Sequence, residues 1–320
     1  MFDKAGFDQV GSDPVGFEPV LAIHGGAGTL APDAMDAELD QAHRAGLTTA
    51  LRAGYRVLAA GGPALDAVTA AVQALENDAL FNAGHGAVLT AAGTHEMDAC
   101  VMDGATRRVG AVAAICGPRS PILAARAVLE HSPHILLAGR GAEDWLRSRV
   151  EFVDPSYFRT ARREQALQTV LAAAGGALDD ADRHGTVGAV ARDRSGRLAA
   201  ATSTGGMTGK RPGRIGDTPL PGAGTWADGT VAISATGHGE SFIRAAAGHA
   251  LSARIQAGES LEQAALAVLA DVESLGGDGG LVAVDAAGHV TLSFNSRGMY
   301  RGMVTADGVC RTGIYHGRLT

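Results

Sequence analysis

Apolar residues along this chain fall into two rhythms, short strand-length runs and longer stretches at helical spacing, and the two alternate in blocks. A buried strand is predicted over Val20–His24, running straight into the glycine-rich Gly25–Gly28. From Asp36 to Leu75 the apolar positions recur at helical spacing, and Gly61-Gly62-Pro63 divides them into two helices. Strand character returns around Val88, over Met97–Met102 and over Val109–Ile115. Pro121–Glu130 reads as a helix with its proline at the start. Between Gly141 and Arg183 charges crowd together and the periodicity fades past Val170, which predicts a solvated connector. Beyond it come strands at Thr186–Ala191 and Leu198–Thr202, joined by the polar turn DRSGR, and another at Val231–Thr236. Helices are predicted over Ser241–Ala257 and Leu261–Glu273, then a closing strand pair, Leu281–Asp285 and Val290–Phe294. Strands and helices in this order, on both sides of the connector, suggest two packed sheets with helices outside.

Composition narrows the picture. Apolar residues make up 46 % of the 320, so a sizeable core can form, but aromatics are only 4 %, leaving Ala, Val, Leu and Ile to build it. The formal charge of −7 argues against nucleic acid or an anionic membrane as partner. Cys100, Cys116 and Cys310 form no C-x-x-C pair, and their odd, small number suits a reducing compartment. The N-terminal MFDKAGFDQVGSDPVGFEP lacks the basic and apolar regions of a secretory signal, and no run reaches the roughly 18 apolar residues of a membrane span. The expectation is a cytoplasmic protein with an N-terminal extension over residues 1–18.

Several motifs fall short. In GGMTGKR (205–211) only three residues separate Gly205 from Gly209, where a phosphate-binding loop needs four, and Arg211 replaces the magnesium-holding hydroxyl. HGGAG (24–28) resembles the oxyanion segment of α/β-hydrolases, but the G-x-S-x-G that must accompany it is missing. His131 and His134 flank Pro133 without an H-E-x-x-H, and read as polar groups at a helix end. Asp98 and Asp103 fall on opposite faces of one strand, so they are structural rather than a glycosidase pair.

One segment carries more. RHGTVGAVARDRSGRLAAATSTGGMTGKRPGRIGDTPLPGAG (183–224) resembles the plant-type L-asparaginase and isoaspartyl peptidase family of N-terminal nucleophile hydrolases. AIHGGAGT (22–29), LFNAGHGAVLT (80–90), THEMDACVMDG (94–104), ATGHGESFIR (235–244) and NSRGMYRG (295–302) look like further family segments in family order. The chemistry stands beside the resemblance. A threonine hydroxyl is a weak nucleophile, but an N-terminal amine, with a pKa of about 7.7–8, can take its proton. Thr186 gains such an amine only if the bond after Gly185 is cut. Glycine there accepts the strained geometry that attack on its own carbonyl requires.

The resemblance implies an α+β fold, a four-layer αββα sandwich, with residues 19–185 as one subunit and 186–320 as the other. A charged connector at about 150–185 would precede the cut. It implies Thr186 as nucleophile, Thr204 supporting its hydroxyl, Thr236 and Gly237 as the oxyanion-stabilising pair, and Asn82 near the nucleophile. Arg214 and Asp217 would grip the carboxylate and ammonium of an aspartyl substrate, with Gly237 and Gly239 lining the pocket. Backbone carbonyls of Leu75, Glu76, Asp78, Phe81, Ala83 and His85 would surround a structural sodium ion; no catalytic cofactor is expected. His238 lies between the two pocket glycines, where it could influence substrate preference. The implied reaction is hydrolysis of β-aspartyl dipeptides and L-asparagine by a dimer of cleaved αβ pairs. A glycosylasparaginase is the nearest alternative enzyme; an uncleaved binding protein for aspartyl ligands is the alternative of another class.

Overall fold

The computed structural model describes residues 16–28, 35–172 and 185–320. Residues 1–15 of the expected extension and 173–184 of the expected connector lie outside them.

Strand period explains how the sheets assemble. On β5 (Val187–Arg192), Val187, Ala189 and Ala191 face one apolar cluster while Val190 faces another. The same division runs through β1 (Val20–Gly28), where Leu21 and Ile23 face one way and Val20 and Ala22 the other. It recurs on β6 (Leu198–Thr204), with Ala199 and Ala201 opposed to Leu198 and Ala200. These strands form the middle of an eight-stranded sheet. It is completed by β2 (Met97–Asp103), β3 (Val109–Ile115), β4 (Leu136–Ala138), β11 (Gly298–Val304) and β12 (Arg311–Gly313), in the order β12-β11-β1-β5-β6-β2-β3-β4. Pairing is antiparallel except between β3 and β4. A second sheet has the order β10-β9-β8-β7, from β7 (Thr225–Ala227), β8 (Val231–Gly237), β9 (Gly279–Asp285) and β10 (Val290–Phe294).

Helices α1 (Ala37–Ala59), α2 (Ala64–Glu76) and α3 (Pro121–His131) cover one face of the larger sheet. Asp36 caps α1 by accepting the Leu39 N–H at 2.7 Å, and Leu47, Leu51 and Leu58 are buried at helical spacing. Gly61, at φ +80°, and Pro63 end α1 and start α2, as the sequence predicts. Across the molecule, α7 (Ala247–Gln256) and α8 (Leu261–Ser274) pack on the smaller sheet, and Ser260 with Gln263 closes α8 in a capping box.

Four expectations are corrected. The helix expected over Ser241–Ala257 is two: α6 (Gly239–Ala245) and α7, with Ala246 left-handed at φ 46°, ψ 45°. The break lets Phe242 and Leu251 reach the same apolar cluster. The run around Val88 is buried but is not a strand, because its backbone is held by a side chain: Val88 N–H donates to Asn82 Oδ1 at 2.9 Å. Much of the expected connector is folded, with α4 (Gly139–Leu146), a 3-10 turn at Pro155–Phe158 and α5 (Ala161–Ala172). Leu146, Phe158 and Leu167 are buried beneath the charges that hid them in the sequence. Finally, the end of the expected extension is tied to the fold. Phe17 bonds through its N–H to Arg194 O at 3.0 Å, and its ring lies under the Arg192 guanidinium.

No helix among the described residues is long and apolar enough to cross a membrane.

Candidate active site

At one end of the space between the sheets, the apolar lining gives way to hydroxyls. Thr186 stands one residue before β5, so alternation turns its side chain toward the smaller sheet, on the same side as Gly188 and Val190. Thr204 ends β6 beside it, and Thr236 is the penultimate residue of β8 opposite. All three are buried. The structure thus brings together the three threonines expected from the sequence.

Their hydrogen bonds have a direction. The Thr186 hydroxyl donates to Thr204 Oγ1 at 3.1 Å, and Thr204 donates to the Gly185 carbonyl at 2.9 Å. Thr204 Oγ1 also accepts the Gly206 N–H at 2.9 Å. Asn82 Nδ2 donates to the same Gly185 carbonyl and to the Gly206 carbonyl, both at 2.7 Å. With its Oδ1 taken by Val88, Asn82 is held in one orientation. The carbonyl before Thr186 therefore sits between two donors, the arrangement that stabilises negative charge growing on that oxygen. Across the cleft, Thr236 Oγ1 accepts the Ala27 N–H at 3.2 Å, which leaves its own hydrogen to donate. Gly237 follows at φ +142°, a conformation L side chains rarely adopt.

Strand β1 makes room for this geometry. Its ladder with β11 slips between His24 and Gly26, a bulge with Gly26 at φ +117°. A Cβ on Gly26 would lie 3.1 Å from Gly185 Cα and 3.4 Å from Thr186 N. The HGGAG segment therefore runs directly alongside the Gly185–Thr186 bond.

One wall of the cleft is charged. Arg214 donates from Nε and Nη2 to Glu240 at 2.9 and 2.7 Å, a two-bond pair that fixes its guanidinium plane. Glu240 is consequently held well down, at about 2. Asp217 is buried, and its Oδ2 has no hydrogen-bond partner among the described residues. Burial pushes its carboxyl up to about 7, against the pull of Arg214. A buried carboxyl oxygen without a partner is costly unless a ligand supplies one. A Cβ on Gly239 would meet Asp217 Oδ1 at 2.8 Å and Arg214 Nη2 at 3.0 Å, so only glycine lets the backbone approach both. His238 stands at the mouth, its Nε2 3.7 Å from Glu240 Oε2.

The loop after α2 carries Asn82 and closes on itself. The carbonyls of Leu75, Asp78, Phe81 and Ala83 each accept a backbone N–H within it, and Gly84, at φ +53°, folds back over the Glu76 carbonyl. The 3-10 turn Gly84–Gly86, which includes His85, completes it. The Glu76 side chain points elsewhere, accepting from Ser120, Ser203 and Ile122 N–H, and burial raises it to about 7. Arg163 of α5 reaches in to donate to the Gly86 carbonyl at 2.7 Å. The oxygen donors here are neutral carbonyls, which suit a hard monovalent cation better than a transition metal.

Some site residues escaped the sequence analysis. Glu240 orients Arg214, and Arg163 braces the Asn82 loop. His24, Thr202, Ser234 and Thr225 form a buried polar group just beneath the threonines. The legible signal was a histidine, a serine and threonines at inward positions of otherwise apolar strands.

Comparison with known proteins adds a family. The family model described as asparaginase matches residues 17–314. An isoaspartyl peptidase of Salmonella typhimurium is 50 % identical over 307 residues, spanning 92 % of this chain and 98 % of the relative. An isoaspartyl peptidase of Escherichia coli is 48 % identical over 307 residues, spanning 92 % and 96 %. A plant-type L-asparaginase of Pyrobaculum calidifontis is 44 % identical over 295 residues, spanning 88 % and 95 %.

Proposed function

This chain belongs to the asparaginase family, and from that premise we propose that it is a self-cleaving hydrolase of β-aspartyl dipeptides and L-asparagine. The observation that carries the reading is the Gly185 carbonyl, gripped by Asn82 and Thr204 while the Thr186 hydroxyl bonds to Thr204 beside it.

Self-cleavage follows from those bonds. Thr186 Oγ attacks the Gly185 carbonyl carbon. Its proton passes to Thr204 Oγ as Thr204 gives its own to the Gly185 oxygen, with Asn82 supporting that oxygen. Collapse passes the proton of the Gly185 oxygen to the Thr186 nitrogen, breaks the Gly185–Thr186 C–N bond and leaves Gly185 as an ester on Thr186 Oγ. Water hydrolyses the ester, giving a Gly185 carboxylate and a free Thr186 amine. The two pieces, 1–185 and 186–320, stay together because β1 and β5 from opposite sides of the cut are neighbours in one sheet.

In the cut protein the Thr186 amine takes the hydroxyl proton, and Oγ attacks the side-chain carbonyl of the substrate. Thr236 and the Gly237 N–H stabilise the resulting oxyanion. The leaving amine departs with a proton from the Thr186 ammonium, and water then releases aspartate from the acyl-enzyme. Arg214 holds the substrate α-carboxylate and Asp217 its ammonium, with Gly237 and Gly239 allowing close contact. The carbonyls of Leu75, Glu76, Asp78, Phe81, Ala83 and His85 would hold a sodium ion, which would stiffen the Asn82 loop. The three apolar clusters, one on each outer face and one between the sheets, support a four-layer αββα sandwich. The working form is a cytoplasmic dimer of cleaved pairs.

The direct experiment is denaturing electrophoresis with a β-aspartyl dipeptide assay. Two fragments are expected, the smaller beginning TVGAVARD, together with turnover; efficient turnover by an intact chain would refute the reading. Asn82→Ala should slow self-cleavage by roughly a hundredfold, the usual cost of one oxyanion donor. A time course of fragment appearance measures it, and an unchanged rate would remove Asn82 from the step.

Asp217 predicts a pH dependence. Its carboxyl, raised to about 7 in the empty pocket, is protonated below that pH and no longer attracts an ammonium group. The Thr186 amine must likewise lose a proton to act as base. Two protons therefore inactivate free enzyme toward acid pH, and log kcat/KM should steepen toward a slope of two. In Asp217→Asn the slope should fall to one, at a lower absolute rate. The same acid limb in both proteins would contradict this assignment.

A further inference from the structure

One rung below the nucleophile, the two sheets meet through a row of polar residues instead of methyl groups. In the larger sheet, His24 pairs with Gly188 and Gly188 with Thr202, so the three lie side by side across β1, β5 and β6. Facing them in the smaller sheet are Ser234 and its cross-strand partner Thr225. His24, Thr202, Ser234 and Thr225 are all fully buried. Ser234 drops into the slot above Gly188: a Cβ on Gly188 would lie 1.9 Å from Ser234 Oγ and 2.4 Å from His24 Nε2. Position 188 must therefore be glycine for the two polar side chains to meet.

A line of short polar contacts runs from the nucleophile to Thr225. His24 Nδ1 is 2.9 Å from the Thr186 carbonyl, and His24 Nε2 is 2.8 Å from Ser234 Oγ. Ser234 Oγ is 2.7 Å from Thr202 Oγ1, which accepts from Thr225 Oγ1 at 2.6 Å. Thr225 Oγ1 also lies 3.0 Å from the carbonyl of Thr218, the neighbour of Asp217.

Hydrogen counting fixes the direction. A carbonyl oxygen only accepts, so His24 must carry its proton on Nδ1. Burial pushes the ring down to about 3, so it stays neutral and Nε2 is a bare acceptor. Ser234 must then donate to Nε2, which leaves its oxygen to accept from Thr202, and Thr202 in turn accepts from Thr225. Each hydroxyl has one hydrogen, so Thr225, donating to Thr202 at 2.6 Å, has none left for a full bond to the Thr218 carbonyl at 3.0 Å. We propose that His24 is a positioning residue for Thr186, set as the Nδ1–H tautomer by the Thr186 carbonyl and held in place from its other side by the one-way hydroxyl chain Thr225–Thr202–Ser234. By holding the Thr186 carbonyl it anchors the residue whose amine and hydroxyl must act together.

This inference rests on Thr186 being the nucleophile, and the test separates the two ideas. Nitrogen NMR of histidine-labelled protein reads the tautomer directly, with the His24 signal identified by its loss in His24→Gln. The wild-type ring is expected to be protonated at Nδ1 and bare at Nε2 across pH 5–9. In Ser234→Ala, which removes the donor to Nε2, the Thr186 carbonyl should keep the proton on Nδ1 while the ring loses its second anchor. kcat should then fall by about tenfold to a hundredfold, the scale of a small misplacement of reacting groups, while KM stays within about twofold. Thr202→Val should lower kcat in the same direction, and Thr202→Ser should restore it. An Nε2–H tautomer in the wild type, or Ser234→Ala with wild-type kcat, overturns the proposal. A wild-type chain that neither cuts itself nor turns over substrate would instead sink the nucleophile reading and leave the tautomer result standing.

Discussion

Thr186→Ala should run on a denaturing gel as one band of 32.4 kDa and turn over no measurable β-aspartyl dipeptide. Both losses are expected from the one missing oxygen. Without Oγ nothing attacks the Gly185 carbonyl, although Asn82 and Thr204 still hold it. Without the cut there is no amine to serve as base. The loss of turnover should be about 10⁴-fold or more, the scale seen when a covalent nucleophile is removed. The fold should persist, because Thr186 contributes one buried hydroxyl bond and its carbonyl still meets His24. Thr186→Ser should still split, since it keeps the attacking oxygen. A Thr186→Ala chain that separates at the same bond would show that another group performs the cleavage.

Arg214→Ala should be the next most damaging change. The substrate carboxylate would lose its cation, and Glu240 would lose the two bonds that hold its carboxylate in the wall of the cleft. Truncating one partner of a hydrogen-bonded charge pair costs about 2–5 kcal/mol, roughly 30- to 5,000-fold in kcat/KM at 1.36 kcal/mol per tenfold. Self-cleavage should continue at its normal rate, because no bond of Arg214 reaches Gly185 or Thr186. The variant thus separates recognition from processing: two fragments on the gel, but poor turnover. Unchanged kcat/KM would place the substrate carboxylate elsewhere.

Much of the architecture was legible because strands and helices here carry clear periods. Both breaks around α1 and α2 were marked by Gly61, Gly62 and Pro63, and most central strands of the larger sheet appeared as uninterrupted apolar runs. Strands β11 and β12 were not read, because glycine and arginine interrupt their pattern; Gly302 leaves space for Leu51 of α1, a contact that only packing reveals. The helices within the connector were obscured by its own charges. Arg163 illustrates the difficulty: it looks like one more solvated residue of a basic cluster, yet it is buried with its Nε on a loop carbonyl.

At the site, the sequence by itself determined the chemical types: a Gly-Thr bond that can be cut, further threonines, an arginine with an aspartate, and glycines where backbone must come close. These are local properties, set by what one residue and its chain neighbours can do. Only the tertiary structure decided that Thr204 and Asn82 share the Gly185 carbonyl, that Glu240 orients Arg214, and that His24 reaches Thr186 from 162 residues away. Such pairings depend on strand register and on which residues two sheets press together, and a one-residue slip would turn every one of those side chains to the opposite face.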